Sequence, residues 1–441
     1  MSNENPQTEM PAQEAATATP QILDHDFAQS QVPVGSRRGF WSMFVIMLGF
    51  TFFSSSMWTG ANLGAGLTMK GFWTAMLIGN LILGVYTAAL AWIAADSGLS
   101  VHLLSRRTFG QKGSWLPSFL LAFTQIGWFG VGVAMFAIPV QTWLNAKGIN
   151  CNVWIPVIIS GLAFTSSAYF GIKALSIISI VAVPIVAFGG GFSMLKVFFD
   201  NPDAWNTMIH FTPDAAKALT ISTAIGLTVG NFVSGGTCTP DFVRFAKSKK
   251  IAVATTAIAF FLGNSLMFLF GAVGAMFYNK NDISEILVLQ NPLVPGIIVL
   301  GLNIWTTNDN ALYTSGLGLA NITGLPKKAI VLFNGILGTV LAVWLYNNFC
   351  GWLSMLNTTL PPIGAVLIAD FFLNRGKGER TASILRWQAV VSWAIGVAVA
   401  NFVKVGISSI NGMIAAVIAY AIFNACCGKC CCQCGCQDKA N

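Results

Sequence analysis

The chain has 441 residues, of which 55% are hydrophobic and 9% are charged. Because soluble domains carry about 25% charged residues, this composition excludes a soluble globular protein and indicates a chain that crosses a membrane many times. The formal net charge of +8 does not indicate nucleic-acid binding, since the charges lie between apolar runs, as loop residues of membrane proteins do.

The chain starts with a polar segment and then turns apolar. Residues 1–36 have no basic stretch followed by an apolar core, which argues against a signal peptide and predicts a disordered cytoplasmic tail. A transmembrane domain is predicted over residues 37–425. At about 20 apolar residues per span, it contains twelve transmembrane helices, near residues 40–67, 71–96, 115–145, 153–171, 175–198, 217–246, 252–278, 293–318, 328–347, 350–374, 383–403 and 407–425.

The basic residues predict the orientation of these spans. With the first segment inside, eighteen Lys and Arg residues fall in inner segments and six in outer ones, and together these are the 24 of the whole chain. Positive charge is enriched on the cytoplasmic side of membrane proteins. The sequence therefore predicts a multi-pass protein of the cytoplasmic (inner) membrane, embedded in the lipid bilayer, with both termini in the cytoplasm.

Two spans contain residues that disfavour a regular helix. The stretch from Gly49 to Gly66 reads GFTFFSSSMWTGANLGAG, and the sixth span contains NFVSGGT at 231–237. Opened backbone inside a membrane is tolerated where it lines a cavity, and paired breaks in two halves of a chain indicate a transporter's central site. Helices one and six are thus predicted to be interrupted. A five-plus-five inverted repeat follows, with repeat one at about 40–198, repeat two at about 217–374 and two extra C-terminal helices at about 383–425.

Candidate groups for a planar ligand lie in spans three and six. Gln125 and Trp128 are three residues apart and share one helical face, so an amide lies beside a flat indole surface. In span six, Asn231, Phe232 and Ser234 stand at the second break. These residues suit a heterocycle that stacks on rings and forms hydrogen bonds at its edge. The alternative is that Gln125 bonds a neighbouring helix, Trp128 only packs and the glycines serve a helix crossing.

Span eight contains a polar motif, NIWTTNDN at 303–310. Asn303, Thr306 and Thr307 share one face, and an amide carbonyl with two hydroxyls and no carboxylate is a plausible partial shell for sodium. Carbonyls freed where span one opens, near Gly49 and Phe52, would complete it. Threonine hydroxyls also bond their own helix, which is the alternative. For Asp309, a carboxylate within the span, proton relay and structural anchoring are equal interpretations.

The C-terminal tail at 426–441 contains seven of the ten cysteines. CxxC-like spacing can indicate zinc, and thiols next to a membrane can be acylated. No histidine accompanies these thiols, so a passive tail is the preferred interpretation. No resident cofactor is expected anywhere in the chain, and sodium enters only as a coupling ion.

Five segments resemble the nucleobase–cation–symport-1 family: residues 49–60, 111–120, 124–140, 260–268 and 300–318. The resemblance runs from about residue 34 to about 425. It implies an all-α polytopic fold of the sodium-symporter type, with two inverted five-helix repeats and two further helices. It also implies a base held between Trp128 and Phe232, bonded at its edge by Gln125, Ser234 and Asn308, with Phe53 lining the pocket.

The same resemblance assigns the coupling ion to the carbonyls of Gly49 and Phe52 with the side chains of Asn303, Thr306 and Thr307. One departure concerns the pocket: Asn231 stands where the family has serine, which adds an amide and bears on which base is preferred. The cysteine-rich tail also departs from the family pattern and leaves transport untouched.

The function expected from this resemblance is secondary active import of cytosine by alternating access, coupled to sodium or to protons. The nearest alternative is the same carrier for uracil, a purine or a hydantoin. A channel is disfavoured because the chain has no tandem pore-loop motif or acidic ring. A membrane enzyme is disfavoured because no nucleophile–base pair or metal cluster is apparent.

Overall fold

The computed structural model describes residues 27–279, 293–375, 383–403 and 405–433. This part of the chain is helical, with one isolated β-bridge between Arg38 and Ala246, and the predicted all-α class is confirmed. The helices are α1 (Phe40–Thr51), α2 (Ser54–Gly66), α3 (Met69–Ser97), α4 (Val101–Phe109), α5 (Trp115–Ala146), α6 (Trp154–Tyr169), α7 (Ile172–Asp200), α8 (Ala204–Ile209), α9 (Ile221–Thr237), α10 (Thr239–Val243), α11 (Lys249–Ile258), α12 (Asn264–Tyr278), α13 (Leu293–Thr323), α14 (Lys327–Asn347), α15 (Phe349–Thr359), α16 (Pro361–Leu373), α17 (Trp387–Phe402) and α18 (Ser408–Gln433).

Seven helical segments in the described residues are long and apolar enough to cross a membrane, and the bent pair α1–α2 makes an eighth if it is one span. The helices α6 and α17 are apolar but shorter. The predicted twelve spans each coincide with a helix or a helix pair, while the number that cross a membrane stays a prediction. The boundary between α15 and α16 lies at Leu360, directly before two prolines, where proline disfavours a continuous helix.

The first break lies at Phe52 and Phe53, and the axes of α1 and α2 differ by 52° across it. Phe53 has an extended backbone, with φ −124° and ψ 129°. The expectation that the serines and glycines up to Gly66 would open the helix was wrong, because Ser54–Gly66 is helical.

The glycines of α2 serve close packing instead. A Cβ on Gly60 would lie 2.2 Å from the Phe268 carbonyl oxygen, and one on Gly64 would lie 2.9 Å from Ala272 Cα. Small residues let helix backbones approach closely in membranes, so α2 packs directly on the backbone of α12. These glycines cannot be distinguished by sequence from glycines that open a helix.

The second break also differs from the prediction. Residues Asn231–Thr237 lie inside α9, and the helix boundary falls at Cys238, between α9 and α10. The glycines here leave room for neighbouring side chains. A Cβ on Gly235 would lie 2.9 Å from the Phe50 ring, and one on Gly236 would lie 3.0 Å from Thr87. The backbone amides of this motif are therefore used within the helix.

Aromatic and charged side chains fill the interior between the two breaks and the side that the basic residues predict to be cytoplasmic. Phe50 packs on Phe242 with ring centroids 4.8 Å apart, and Phe242 lies 6.0 Å from Tyr313. The Tyr313 hydroxyl accepts a hydrogen bond from Nη2 of the buried Arg244 at 3.2 Å. Arg244 Nη1 donates to the carbonyl of Phe27 at 2.8 Å.

The N-terminal segment is more ordered than its composition predicts. The predicted tail at 1–36 lies outside the described residues up to residue 26, but residues 27–36 pack on the helices. Val32 is fully buried and its amide donates to the Gly98 carbonyl at 2.9 Å, while Gln29 Nε2 donates to Ala320 O at 3.2 Å. At the other end, α18 continues to Gln433, and residues 434–441 of the predicted tail lie outside the described residues.

Candidate functional site

A cavity of about 30 Å³ lies at the first break, lined by Phe50, Phe53, Gln125, Trp128, Asn231, Phe232, Gly235, Thr307, Asn308 and Ala311. Six of the seven residues predicted to bind a base are therefore brought together here. The seventh, Ser234, lies behind the wall, where its Oγ accepts a hydrogen bond from Gln125 Nε2 at 3.1 Å. The helices α1, α2, α5, α9 and α13 supply this site or flank it.

Four aromatic rings, those of Phe50, Phe53, Trp128 and Phe232, form most of the apolar part of the cavity. Phe53 is edge-on to Trp128, with centroids 5.2 Å apart, and edge-on to Phe232, with centroids 6.2 Å apart. Phe232 is held in turn by Phe50 at 5.2 Å and by Phe260 at 5.1 Å, both edge-on. Edge-to-face contacts of this kind are favourable ring geometries, so Phe50 and Phe260 hold the Phe232 ring in place.

The volume of the cavity limits what this conformation can hold. A cavity needs about 10–15 Å³ to hold one water, so a cavity of about 30 Å³ accommodates about two waters. A pyrimidine ring is larger. Phe53 contacts both Trp128 and Phe232, so a larger planar ligand would fit between those two rings only if Phe53 moved.

Polar groups reach the same cavity from three helices. Gln125 Nε2 donates one hydrogen bond to Ser234 Oγ. Ser234 Oγ in turn donates to Thr124 Oγ1 at 3.3 Å. Asn308 Nδ2 donates to the Phe129 carbonyl at 3.3 Å. A Cβ on Gly132 would lie 2.3 Å from Asn308 Oδ1, so this glycine leaves the space that the amide occupies.

Four lining residues were not predicted as base-binding: Phe50, Gly235, Thr307 and Ala311. Ala311 follows Asn308 by three residues and shares its helical face, which is a signal that the sequence carried. Thr307 was predicted as an ion ligand and lines the base cavity as well. Phe50 lies in α1, and its approach to the cavity depends on the bend at the break, which the sequence does not specify.

The residues predicted to bind the coupling ion also come together. Asn303 Nδ2 donates to the Phe52 carbonyl at 2.9 Å. Thr306 Oγ1 donates to the Asn303 carbonyl of its own helix at 2.8 Å and lies 3.3 Å from the Gly49 carbonyl oxygen. The last carbonyls of a helix lack intrahelical donors, and α1 ends at Thr51. The two carbonyls at this break therefore meet the polar face of α13.

The chemistry of this set fits a small monovalent cation. Asn303 Oδ1 is buried and has no hydrogen-bond partner in the part of the chain that the structure describes. Thr307 Oγ1 donates to the carbonyls of Ile304 at 3.0 Å and Asn303 at 3.3 Å, which is the own-helix bonding named as an alternative. A donating hydroxyl keeps lone pairs, so it can also accept a cation.

Asp309 lies on another face of α13. Its Oδ1 accepts a hydrogen bond from Ser167 Oγ at 2.5 Å, and Ser167 accepts one from Trp305 Nε1 at 2.7 Å. These contacts join α13 to α6. They form an anchor between two helices, and Asp309 is not among the residues that line the cavity.

Comparison with known proteins identifies relatives along nearly the whole chain. A family model described as permease for cytosine/purines, uracil, thiamine, allantoin matches residues 31–425. The cytosine permease of Escherichia coli (strain K12) is 49% identical over 403 residues, which cover 90% of this chain and 94% of that protein. The hydantoin permease of Microbacterium maritypicum is 22% identical over 388 residues, covering 77% and 75%.

Solved structures share the fold. Mhp1, a nucleobase-cation-symport-1 family transporter in a closed conformation with bromovinylhydantoin bound, superposes with a TM-score of 0.78 at 20% identity, covering 90% of this chain and 95% of that one. A sodium-coupled sialic acid symporter in a substrate-bound outward-open state superposes with a TM-score of 0.70 at 14% identity, covering 89% and 90%. At these identities the similarity concerns the fold alone.

Proposed function

The chain belongs to the family of permeases for cytosine/purines, uracil, thiamine and allantoin, and from this premise we propose that it imports cytosine together with sodium by alternating access. It is a nucleobase transporter and not an enzyme. The proposal that cytosine and sodium move together rests on the α1–α2 junction, because the ion-ligand set and the base cavity both use residues of this junction.

The cavity suits a flat base with a polar edge. Trp128 and Phe232 would stack on its two faces once Phe53 moves aside, and aromatic stacking contributes about 1–3 kcal/mol per base. Gln125 and Asn308 would bond the edge, with Ser234 orienting the Gln125 amide. Cytosine is the base that we propose, because relatives at 49% identity are cytosine permeases.

Sodium is the proposed coupling ion. The carbonyls of Gly49 and Phe52, the hydroxyls of Thr306 and Thr307, and the unpartnered Asn303 Oδ1 offer five oxygens without a carboxylate. Carboxylates and higher coordination numbers are typical of calcium sites, so this set favours a monovalent ion. Binding would tie α13 to the α1–α2 junction, and Thr307 would transmit this to the cavity that it lines.

Release to the cytoplasm requires the inner contacts to open. The packing of Phe50 on Phe242 and the bond between Arg244 and Tyr313 would have to separate. We propose that the chain alternates between this conformation and one open to the cytoplasm, with both termini on the cytoplasmic side of the inner membrane. The bias of basic residues supports this orientation.

The test is uptake of labelled cytosine into proteoliposomes under an inward sodium gradient, with a potassium gradient as the matched control. Accumulation above equilibrium with sodium alone supports the proposal. Accumulation driven only by a pH gradient replaces sodium with protons and makes Asp309 the candidate group. Competition by unlabelled uracil, adenine or hydantoin that exceeds competition by cytosine would reassign the base.

A further inference from the structure

The amide of Asn231 is held in one orientation at the cavity. Its Oδ1 accepts hydrogen bonds from Ser55 Oγ at 2.8 Å and from Thr59 Oγ1 at 2.9 Å. An amide oxygen has two lone pairs. Both are therefore used by hydroxyls of α2, and this oxygen has no capacity left to accept a hydrogen bond from a base.

The nitrogen of the same amide keeps one donor. Asn231 Nδ2 donates to Ser56 Oγ at 2.9 Å, and an NH₂ group has two hydrogens. Asn231 lines the cavity beside Phe53 and Phe232. The group that it can offer to a base is therefore a hydrogen-bond donor.

A buried chain of hydrogen bonds opposes a flip of this amide. Ser56 Oγ donates to Asn264 Oδ1 at 2.6 Å, and Asn264 Nδ2 donates to Asn80 Oδ1 at 2.7 Å. Asn80 Nδ2 continues the chain to Ser265 Oγ at 2.8 Å. A hydroxyl has one hydrogen, so Ser56, which spends it on Asn264, can only accept from Asn231.

We propose that Asn231 is a specificity-determining residue that donates a hydrogen bond to an acceptor on the edge of the base, with Asn264 as the positioning residue that keeps the amide turned this way. The inference rests on the proposed function, because it concerns the same cavity. Cytosine has two adjacent acceptors, the unprotonated ring nitrogen N3 and the carbonyl oxygen O2, and one exocyclic donor, the 4-amino group. Asn231 selects for the acceptors and does not read the amino group.

The test combines variants with base analogues that each change one part of the hydrogen-bonding edge. Equilibrium binding to the purified full-length chain is measured for cytosine, for 3-deazacytosine, which lacks the N3 acceptor, for 4-aminopyrimidine, which lacks O2 and with it the hydrogen on N1, and for 2-pyrimidinone, which lacks the 4-amino group. Each is measured with the wild-type chain and with Asn231→Leu. The variant is expected to weaken cytosine binding by about tenfold. This loss should vanish with 3-deazacytosine or with 4-aminopyrimidine, and persist with 2-pyrimidinone.

A loss that vanishes only with 2-pyrimidinone would make Asn231 an acceptor and overturn the inference. An equal loss for all four ligands would remove the direct contact and overturn it as well. Wild-type chain that binds none of them contradicts the proposed function itself, whereas wild-type binding with the wrong pattern contradicts only the role of Asn231.

Two further variants keep the test independent of folding. If Asn231→Leu does not fold, Asn231→Asp replaces it, because a carboxylate still accepts from Ser55 and Thr59 but has no N–H groups. Asn264→Leu does not touch the base and frees the Ser56 hydrogen, so the Asn231 amide can turn. One of the two analogues, 3-deazacytosine or 4-aminopyrimidine, will be the one that Asn231→Leu binds as tightly as the wild type does. We expect Asn264→Leu to reduce the preference for cytosine over that analogue. An unchanged preference would contradict the positioning role.

Discussion

Asn303 donates a hydrogen bond from Nδ2 to the carbonyl of Phe52 at 2.9 Å, and Phe53, the next residue, lines the base cavity. One backbone step at the break therefore separates a carbonyl of the proposed ion set from the ring that is proposed to move when a base binds. An ion that orders the Phe52 carbonyl would also restrict where Phe53 can lie. This adjacency would couple ion binding to base binding.

Trp128 is expected to contribute a stacking surface. Trp128→Ala should weaken cytosine binding by about tenfold or more, since a stacked base gains about 1–3 kcal/mol from its ring partner. Isothermal titration of the detergent-purified variant measures this. Trp344→Ala is the control, because Trp344 is 61% exposed on the outer surface of α14. Unchanged affinity in Trp128→Ala would contradict the stacking role.

The two threonines of α13 are expected to set the response to sodium. Thr307→Ala should lose most of the sodium dependence of cytosine binding while keeping its melting temperature, because the hydroxyl that is lost donates to carbonyls of its own helix. Thr142→Ala is matched, since Thr142 Oγ1 makes the same type of bond, to Ile138, away from the site. Full stimulation by sodium in Thr307→Ala would count against the proposed ion set.

Gly132 is expected to control the position of the Asn308 amide. Gly132→Ala introduces a Cβ at 2.3 Å from Asn308 Oδ1 and should reduce cytosine affinity by about tenfold, which corresponds to about one lost hydrogen bond. Gly84→Ala in α3 is the control, because in the described part of the chain its added Cβ meets no atom within 4 Å outside its own stretch of helix. Equal affinity in the two variants would show that Asn308 does not bind the base.

Gly60 is expected to matter for stability rather than for opening the helix. Gly60→Ala places a Cβ 2.2 Å from the Phe268 carbonyl oxygen, and the backbone of α12 has to shift. The melting temperature should fall clearly. Gly191→Ala should leave it unchanged, because among the described residues its Cβ meets no atom within 4 Å beyond the local helix. A melting temperature of Gly60→Ala equal to that of the wild type would contradict the packing role.

Asp309 is expected to act as an anchor if sodium is the coupling ion. Asp309→Asn keeps an oxygen to accept from Ser167 Oγ, so sodium-driven uptake in proteoliposomes should remain within about twofold of the wild type, a change of about 0.4 kcal/mol. Ser167→Ala tests the same contact from α6 and should behave similarly. Loss of gradient-driven accumulation in Asp309→Asn with cytosine binding intact would instead support proton coupling.

Much of the candidate site could be predicted because helical spacing decides which side chains share a face. Gln125 with Trp128, and Asn303 with Thr306 and Thr307, are such sets, and the structure brings them to one cavity and one ion-ligand set. The all-helical fold follows from the apolar runs. The roles of these residues in binding stay predictions.

The break positions could not be predicted to the residue. Gly60 packs against Phe268 and Gly235 accepts the Phe50 ring, and both contacts involve partners far away in the chain. Sequence alone does not say whether a glycine opens a helix or admits a neighbour. The packing of residues 27–36 also depends on contacts with distant parts of the chain, since other helices surround the buried Val32.

The most direct test of the account is the cytosine dissociation constant of the purified protein, measured in sodium and in potassium at equal ionic strength. Coupled sites shift each other's affinity by the same factor, typically about 5–150-fold. We expect sodium to lower the dissociation constant of cytosine by at least about fivefold, and cytosine to lower the dissociation constant of sodium by the same factor. Equal cytosine affinity in the two salts would contradict coupling through the α1–α2 junction.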